Sequence, residues 1–112
     1  MERWTEKDFE GSRSRHPGLW VVAFLADWCP FCRAFRPEFA AMEGRHPFPM
    51  AVIDLTDLES PLWETFAVEV VPTVAVFADG RLVWRRDGIA MQGLGRRDLQ
   101  DLAAAARAAG GH

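Results

Sequence analysis

Residues Leu19 to Ala26 read LWVVAFLA, eight apolar side chains without a polar break. A strand with one wet face would alternate apolar and polar residues, because successive side chains point to opposite sides. An unbroken apolar run suits a central strand covered on both faces. Such a strand needs neighbours on its edges and cover above and below. It also runs almost directly into the only two cysteines, Cys29 and Cys32, which enclose Pro30 and Phe31 and follow Trp28.

The rest of the chain supplies those neighbours. From Pro30 to about Gly44, Phe31, Phe35, Phe39 and Met42 recur at helical spacings of three and four. Pro37 falls inside this helix, removes one backbone bond and predicts a kink. "HPFP" ends the helix, and "MAVIDL", Met50 to Leu55, is a second apolar strand. Ser60-Pro61 opens a short helix to about Ala67, with Pro61 at the tolerated first position. "TVAVFA", Thr73 to Ala78, then Asp79-Gly80, then "RLVWRR" predicts a hairpin. A last helix runs from about Arg96 to Ala109, with Leu99, Leu102, Ala103 and Ala106 inward and Gly110 as its C-cap. At the start, Thr5 followed by Asp8 has the form of an N-cap and predicts a short helix to about Ser12. "RHPG", Arg15 to Gly18, breaks it, and there is room for a short strand at Arg3 and Trp4. Alternating helices and strands followed by a hairpin imply an α/β fold, a mixed sheet flanked by helices.

A chain of 112 residues is expected to form one domain, residues 1–112, and to bury roughly two thirds of its unfolded surface. A formal net charge of −3 argues against nucleic acid, whose phosphates need a concentrated basic face. Arg85-Arg86 and Arg96-Arg97 are expected to be solvated. No stretch approaches 18 apolar residues, and the N-terminal stretch has no apolar run or cleavage signal. The expectation is a soluble, cytoplasmic monomer with no membrane or nucleic-acid partner.

The cysteine pair admits three uses: metal ligation, a structural crosslink, or redox exchange. Zinc usually takes four ligands, and only His16, His46, His112 and carboxylates remain, with no second pair at finger-like spacing. No metal is expected. A crosslink across so short a loop constrains little chain. A reducing cytosol also disfavours structural disulfides, so two close cysteines there suggest chemistry. Exchange requires one sulfur as an exposed thiolate and a second within reach. Cys29 lies where a buried strand gives way to a helix, and free N–H groups there favour an anion. A cysteine so placed can have its pKa lowered to roughly 3.5–7.5. Cys32, three residues on, shares the same face of the first turn. Cys29 is therefore the expected exposed nucleophile and Cys32 the resolving sulfur.

These residues resemble the thioredoxin family. "FLADWCPFC" with Pro37 five residues after Cys32 carries the resemblance, as do "VVPTVAVFADGRLV" and Gly88, sixteen residues past Pro72. The match runs from about Thr5 to Ala109. It implies the thioredoxin fold, a three-layer α/β/α sandwich around a four- to five-stranded mixed sheet. It implies a cis bond at Pro72 beside the cysteines and a Val71 backbone that pairs with an extended substrate segment. Trp28, Pro30, Phe31, Val71, Pro72, Thr73 and Gly88 would then form the substrate-binding surface around Cys29. The implied activity is thiol–disulfide exchange with protein disulfides, in the reductase direction. It would use no cofactor beyond the Cys29/Cys32 pair and would draw electrons from a reductase or a small thiol such as glutathione. The alternatives are a more oxidising or glutathione-linked oxidase or isomerase, and a non-catalytic module that binds partners and senses redox state.

Two departures bear on rate. Thioredoxins usually carry a buried aspartate six residues before the first cysteine, where this chain has Ala23. The lysine that accompanies it falls at Met50. Losing both leaves an apolar core, whereas losing one would strand a charge. The dipeptide between the cysteines is Pro-Phe rather than Gly-Pro, closer to the Pro-Tyr of glutaredoxins, which leaves the direction of exchange open. If the missing carboxylate limits proton transfer, Ala23→Asp should raise the rate of insulin reduction. An unchanged rate would reject that explanation.

Overall fold

The computed structural model describes residues 1–110. Five strands form one mixed sheet. In the middle lies β4 (Leu19–Leu25), parallel to β5 (Met50–Asp54) and antiparallel to β6 (Thr73–Ala78). Strand β1 (Glu2–Trp4) adds in parallel to the outer side of β5, and β7 (Arg81–Asp87) lies antiparallel on the far side of β6. Two short strands, β2 (Phe9–Glu10) and β3 (Arg13–Ser14), make a separate hairpin. The helices are α1 (Pro30–Ala41), α2 (Leu62–Thr65) and α3 (Arg96–Gly110). His112, weighed above as a metal ligand, lies outside the described residues. Gly110, expected just past the last helix, is its final residue.

The unbroken apolar run behaves as its composition requires. Val21 to Leu25 are all fully buried, so both faces of β4 are covered. Directly opposed residues share a face, and faces alternate along each strand. Val21 and Ala23 therefore lie on one face with their partners Met50, Val52, Val76 and Val74. Trp20 and Phe24 lie on the other, with Phe77, Ile53 and, from β1, Trp4. The first face is aliphatic. Leu19 shares it and meets Gly110 of α3, where an added Cβ would come within 2.7 Å of the leucine. Buried Phe35 and Phe39 of α1 and Leu102, Ala103 and Ala106 of α3 supply helical apolar faces. The second face is aromatic. Phe9 from the hairpin packs on Trp4, Phe66 and Phe77 at ring separations of 5.8, 5.2 and 6.0 Å. A single turn of helix and a short hairpin are thin cover, and large rings fill the volume instead.

The helix expected over Thr5 to Ser12 does not form. Its capping signal is real: the Thr5 amide donates to Asp8 Oδ2 at 2.8 Å and the Lys7 amide to Thr5 Oγ1 at 3.3 Å. It starts only a 3-10 turn, Glu6–Asp8. Gly11, at φ +60°, then reverses the chain so that Phe9 pairs with Ser14. Gly-Ser at the tip of a two-residue hairpin was the overlooked signal. The His16 ring stacks on Trp4 at 4.4 Å and its Nε2 lies 2.8 Å from Asp8 Oδ1, which fixes the end of this segment to β1.

The Asp79-Gly80 hairpin forms as expected, with φ of +49° and +90° at its two central residues. Gly80 is also fixed by space, since a Cβ there would come within 2.7 Å of the Ser14 carbonyl oxygen. Helix α1 continues through Pro37 to Ala41. The Arg85-Arg86 pair is not a solvated face. Arg86 Nη1 bonds Asp98 and Asp101 of α3 at 2.9 and 3.1 Å, and its guanidinium lies over the Trp84 ring. Arg85 is also engaged, by carbonyls at the end of α2. Among the described residues no helix is long and apolar enough to cross a membrane.

Phe9→Ala tests whether the hairpin seals the aromatic face. Urea denaturation should show a loss of about 3–5 kcal/mol, the usual cost of removing a buried phenyl ring. A loss below about 1 kcal/mol would mean that the hairpin is dispensable.

Candidate active site

Strand β4 ends at Leu25, and the chain turns through Ala26–Trp28 before α1 begins. Thr56, just past β5, holds that turn. Its Oγ1 accepts the Asp27 amide at 2.9 Å, and its carbonyl accepts Trp28 Nε1 at 2.9 Å. Cys29 is the N-cap of α1, with extended backbone at φ −89° and ψ 116°, and Pro30 occupies the first turn. Proline fits there because its missing N–H would have had no helical partner. The first-turn amides that do remain need acceptors. The Cys32 amide finds one in Cys29 Sγ, at 3.2 Å.

Both cysteines are free thiols. Cys29 Sγ donates to the Val71 carbonyl at 3.5 Å. Cys32 sits deeper, and burial pushes its thiol up to about 12. The neighbouring Cys29 thiol adds to that rise, while an Ala26 backbone bond and the Arg36 charge oppose it. The expectation of an exposed Cys29 needs correcting: its residue exposure is 4%, against 1% for Cys32. Strand β4 ends inside the core, so the sulfur that caps α1 lies against the Val71 segment, where sequence spacing alone suggested open solvent. The order of exposure still favours Cys29.

The Val71–Pro72 peptide bond is cis. Thr73 Oγ1 donates to the Val70 carbonyl at 2.7 Å and accepts the Gly88 amide at 3.4 Å. Gly88 must lack a side chain, because a Cβ would lie 2.3 Å from the Pro72 carbonyl oxygen. Val71, Pro72, Thr73 and Gly88 are thus one packed unit, and Val71 joins it to Cys29. Trp28 is half-exposed and stacks on Trp63, with centroids 6.2 Å apart and planes 15° from parallel. Pro30 is exposed. Phe31 packs half-buried against Gly93, where an added Cβ would meet the Phe31 Cβ at 3.1 Å.

Sequence reasoning missed several neighbours. Trp63 shares the Trp28 stack and donates through Nε1 to the Asp57 carbonyl. Leu58 in the same loop is strongly exposed. Beyond Gly88, a tight turn closes through paired Ile89 and Gly93, and presents Ile89 and the strongly exposed Met91. The available signal was large apolar residues in loops without strand or helix periodicity. Among the described residues no three His, Cys, Asp or Glu side chains come together as metal ligands. A groove of about 510 Å³ between α1 and α3, lined by Met42, Arg45, Leu99 and Ala103 among others, does not include the cysteines. The cysteine site is a surface flanked by apolar side chains, suited to a polymer segment more than to an enclosed small molecule.

A helix-capping sulfur with a second thiol one turn away has what thiol–disulfide exchange requires. Comparison with known proteins agrees. The family model described as Thioredoxin matches residues 1–105. Thioredoxin H5 from Arabidopsis thaliana is 36% identical over 93 residues, which cover 80% of this chain and 75% of that one. Protein disulfide-isomerase A3 from Gallus gallus is 33% identical over 86 residues, 75% of this chain, but the chain spans only 17% of that protein's length. A mutant thioredoxin from Halobacterium salinarum superposes with a TM-score of 0.66 at 25% identity, covering 86% of this chain and 78% of that one. These relatives and the adjacent cysteines support thiol–disulfide oxidoreductase chemistry in general terms. The chain belongs to the thioredoxin family.

Proposed function

We propose that this chain reduces disulfides in protein clients through Cys29 and Cys32. The observation that carries this reading is the Cys29 sulfur, hydrogen-bonded by the Cys32 amide on one side and placed against the Val71 carbonyl on the other. As a thiolate, Cys29 attacks one sulfur of the client disulfide. That S–S bond breaks, the second client sulfur leaves and takes a proton from water, and a mixed disulfide joins client to Cys29. Cys32 then loses its proton and attacks Cys29 Sγ. The bond between Cys29 and the client breaks, the client sulfur that Cys29 first attacked departs as a thiolate and takes a proton from water, and Cys29–Cys32 becomes a disulfide. Two electrons have passed to the client. An external dithiol reductase or a small thiol such as glutathione must return them.

The client lies as an extended segment along the Val71 backbone, in the manner of an added strand. Trp28, Pro30, Phe31, Pro72, Thr73 and Gly88 frame it. The scheme uses no metal and no bound cofactor, needs only one copy of the chain, and suits a reducing compartment such as the cytoplasm. A second reading, a module that binds partners without turnover, has one observation in its favour. Ala23 and Met50 are both buried on the helix-facing side of the sheet, so no carboxylate there helps Cys32 to lose its proton.

Dithiothreitol-coupled insulin reduction separates the two. Cys29→Ser should abolish turnover, and Cys32→Ser should accumulate a covalent client adduct on non-reducing gels. Turnover that survives Cys29→Ser would end the exchange reading, and saturable client binding without turnover by the intact chain would favour the module. The resolving step carries a pH signature. Burial, the largest cause of the raised Cys32 thiol, persists in the mixed disulfide, so Cys32 stays mainly protonated at neutrality and its thiolate fraction rises with pH. The mixed disulfide should therefore decay faster as pH rises from about 7 to 9. A pH-independent lifetime would place the limit elsewhere.

A further inference from the structure

Helix α2 is a single turn, Leu62–Thr65, and it is followed by Ala67 at φ +49°. A non-glycine residue in that left-handed region marks an abrupt change of direction. The chain then runs through Val68 to Val71 and reaches Pro72 beside Cys29. The carbonyls of Leu62, Trp63 and Glu64 accept backbone amides as the chain leaves the helix. Just past it, Arg85, on β7, takes the next two that it can reach: Nη1 donates to the Phe66 carbonyl at 2.5 Å, and Nη2 donates to the Ala67 carbonyl at 3.4 Å. The guanidinium is itself gripped by Asp87, whose two oxygens accept from Nε and Nη2 at 2.6 and 3.1 Å. Residues two apart on a strand share a side, so Asp87 locks the planar fork in the orientation that meets both carbonyls.

This clamp bears on the active site because of what it holds. The 66–72 segment is fastened at its far end by Thr73 Oγ1 on the Val70 carbonyl. At its near end it is fastened by Arg85. Val68 lies buried between the two, and buried Val71 is the next residue past Val70; its carbonyl faces Cys29 Sγ. Arg85 and Asp87 belong to β7, which pairs with β6 in a register that sets Asp87 opposite Thr73 and Arg85 opposite Ala75. Both fastenings are therefore referred to the same pair of strands.

We propose that Arg85, oriented by Asp87, is a positioning residue for client binding. It fixes the segment that carries Val71 and Pro72 at the distance from Cys29 that an extended client requires. The inference rests on the strand-addition reading given above and adds to it a residue remote from the sulfurs. A small disulfide that does not pair along Val71 does not depend on the clamp.

The experiment compares two substrates. Initial rates of insulin reduction over a range of insulin concentrations separate KM from kcat, and single-turnover reaction of the reduced protein with cystamine reports sulfur chemistry alone. Arg85→Met should raise KM for insulin roughly three- to tenfold, less than the full worth of a charge-assisted hydrogen bond because Arg85 acts only through the segment it holds, with kcat and the cystamine rate constant within about twofold of the parent. Arg85→Lys, which keeps the charge but not the fork, should fall between the two. An unchanged KM overturns the proposal, and so does a parallel fall in the insulin and cystamine rates, which would indicate general damage. If thermal melting shows that Arg85→Met does not fold, Asp87→Asn takes its place. It should raise KM in the same direction and leave cystamine unaffected, and no rise would count against the clamp. A parent chain that cannot reduce insulin at all would defeat the exchange reading and this one with it. A normal KM in the variants of an active parent defeats only the clamp.

Discussion

The N-terminus of α1 holds an amide that the helix cannot satisfy, and the side chain placed to satisfy it is a thiol. Everything chemical about the site follows from that hydrogen bond between Cys32 N–H and Cys29 Sγ. It exists because β4 delivers the chain to the end of the sheet with Cys29 in extended backbone, and because Pro30 starts the helix at the next residue. The same bond makes the cysteines unequal. Cys29 caps the helix and faces the Val71 carbonyl, while Cys32 enters the first turn and is shut in. The proposed nucleophile and resolving group differ in this way by one step of helical geometry.

The sheet supports this arrangement asymmetrically. Its aliphatic face carries Ala23, Met50 and the valines of β4, β5 and β6. Apolar Ala23 and Met50 leave that face free of unpaired charge. Its aromatic face is sealed by rings from β1, the hairpin and the end of α2. There the helical cover is one turn long, and Arg85 takes the carbonyls of Phe66 and Ala67 just past it. The thinness of this layer and the appearance of an arginine beneath it are two sides of one fact. A longer α2 would have drawn Phe66 and Ala67 into the helix and ended elsewhere relative to Pro72.

Much of this was legible in the sequence, for physical reasons. Strand β4 was evident because eight consecutive apolar residues leave few alternatives. The Asp79-Gly80 hairpin was evident because its turn requires positive φ at both central residues. Helix α1 was evident from apolar spacing and Pro30. What escaped were features decided by a single residue or by distance in space. The Thr5–Asp8 capping pattern is the same whether a helix or one 3-10 turn follows, and Gly11 decides between them. The burial of Cys29 depends on Val71, forty-two residues away. Arg85 looked like half of a solvated pair because no local rule announces that a strand residue will meet the end of a helix nineteen residues earlier. Trp63, Leu58, Ile89 and Met91 escaped because loop residues have no period by which to read their neighbours.

The two sulfurs are unequal in this structure, and a timed alkylation measures that inequality. Fully reduced native protein is exposed briefly to iodoacetamide at neutral pH, quenched, digested, and the label on each cysteine is quantified by mass spectrometry. Cys29 should be labelled at least roughly tenfold faster than Cys32, since reactivity follows thiolate character and access. Equal labelling of both, or labelling of Cys32 first, would contradict it.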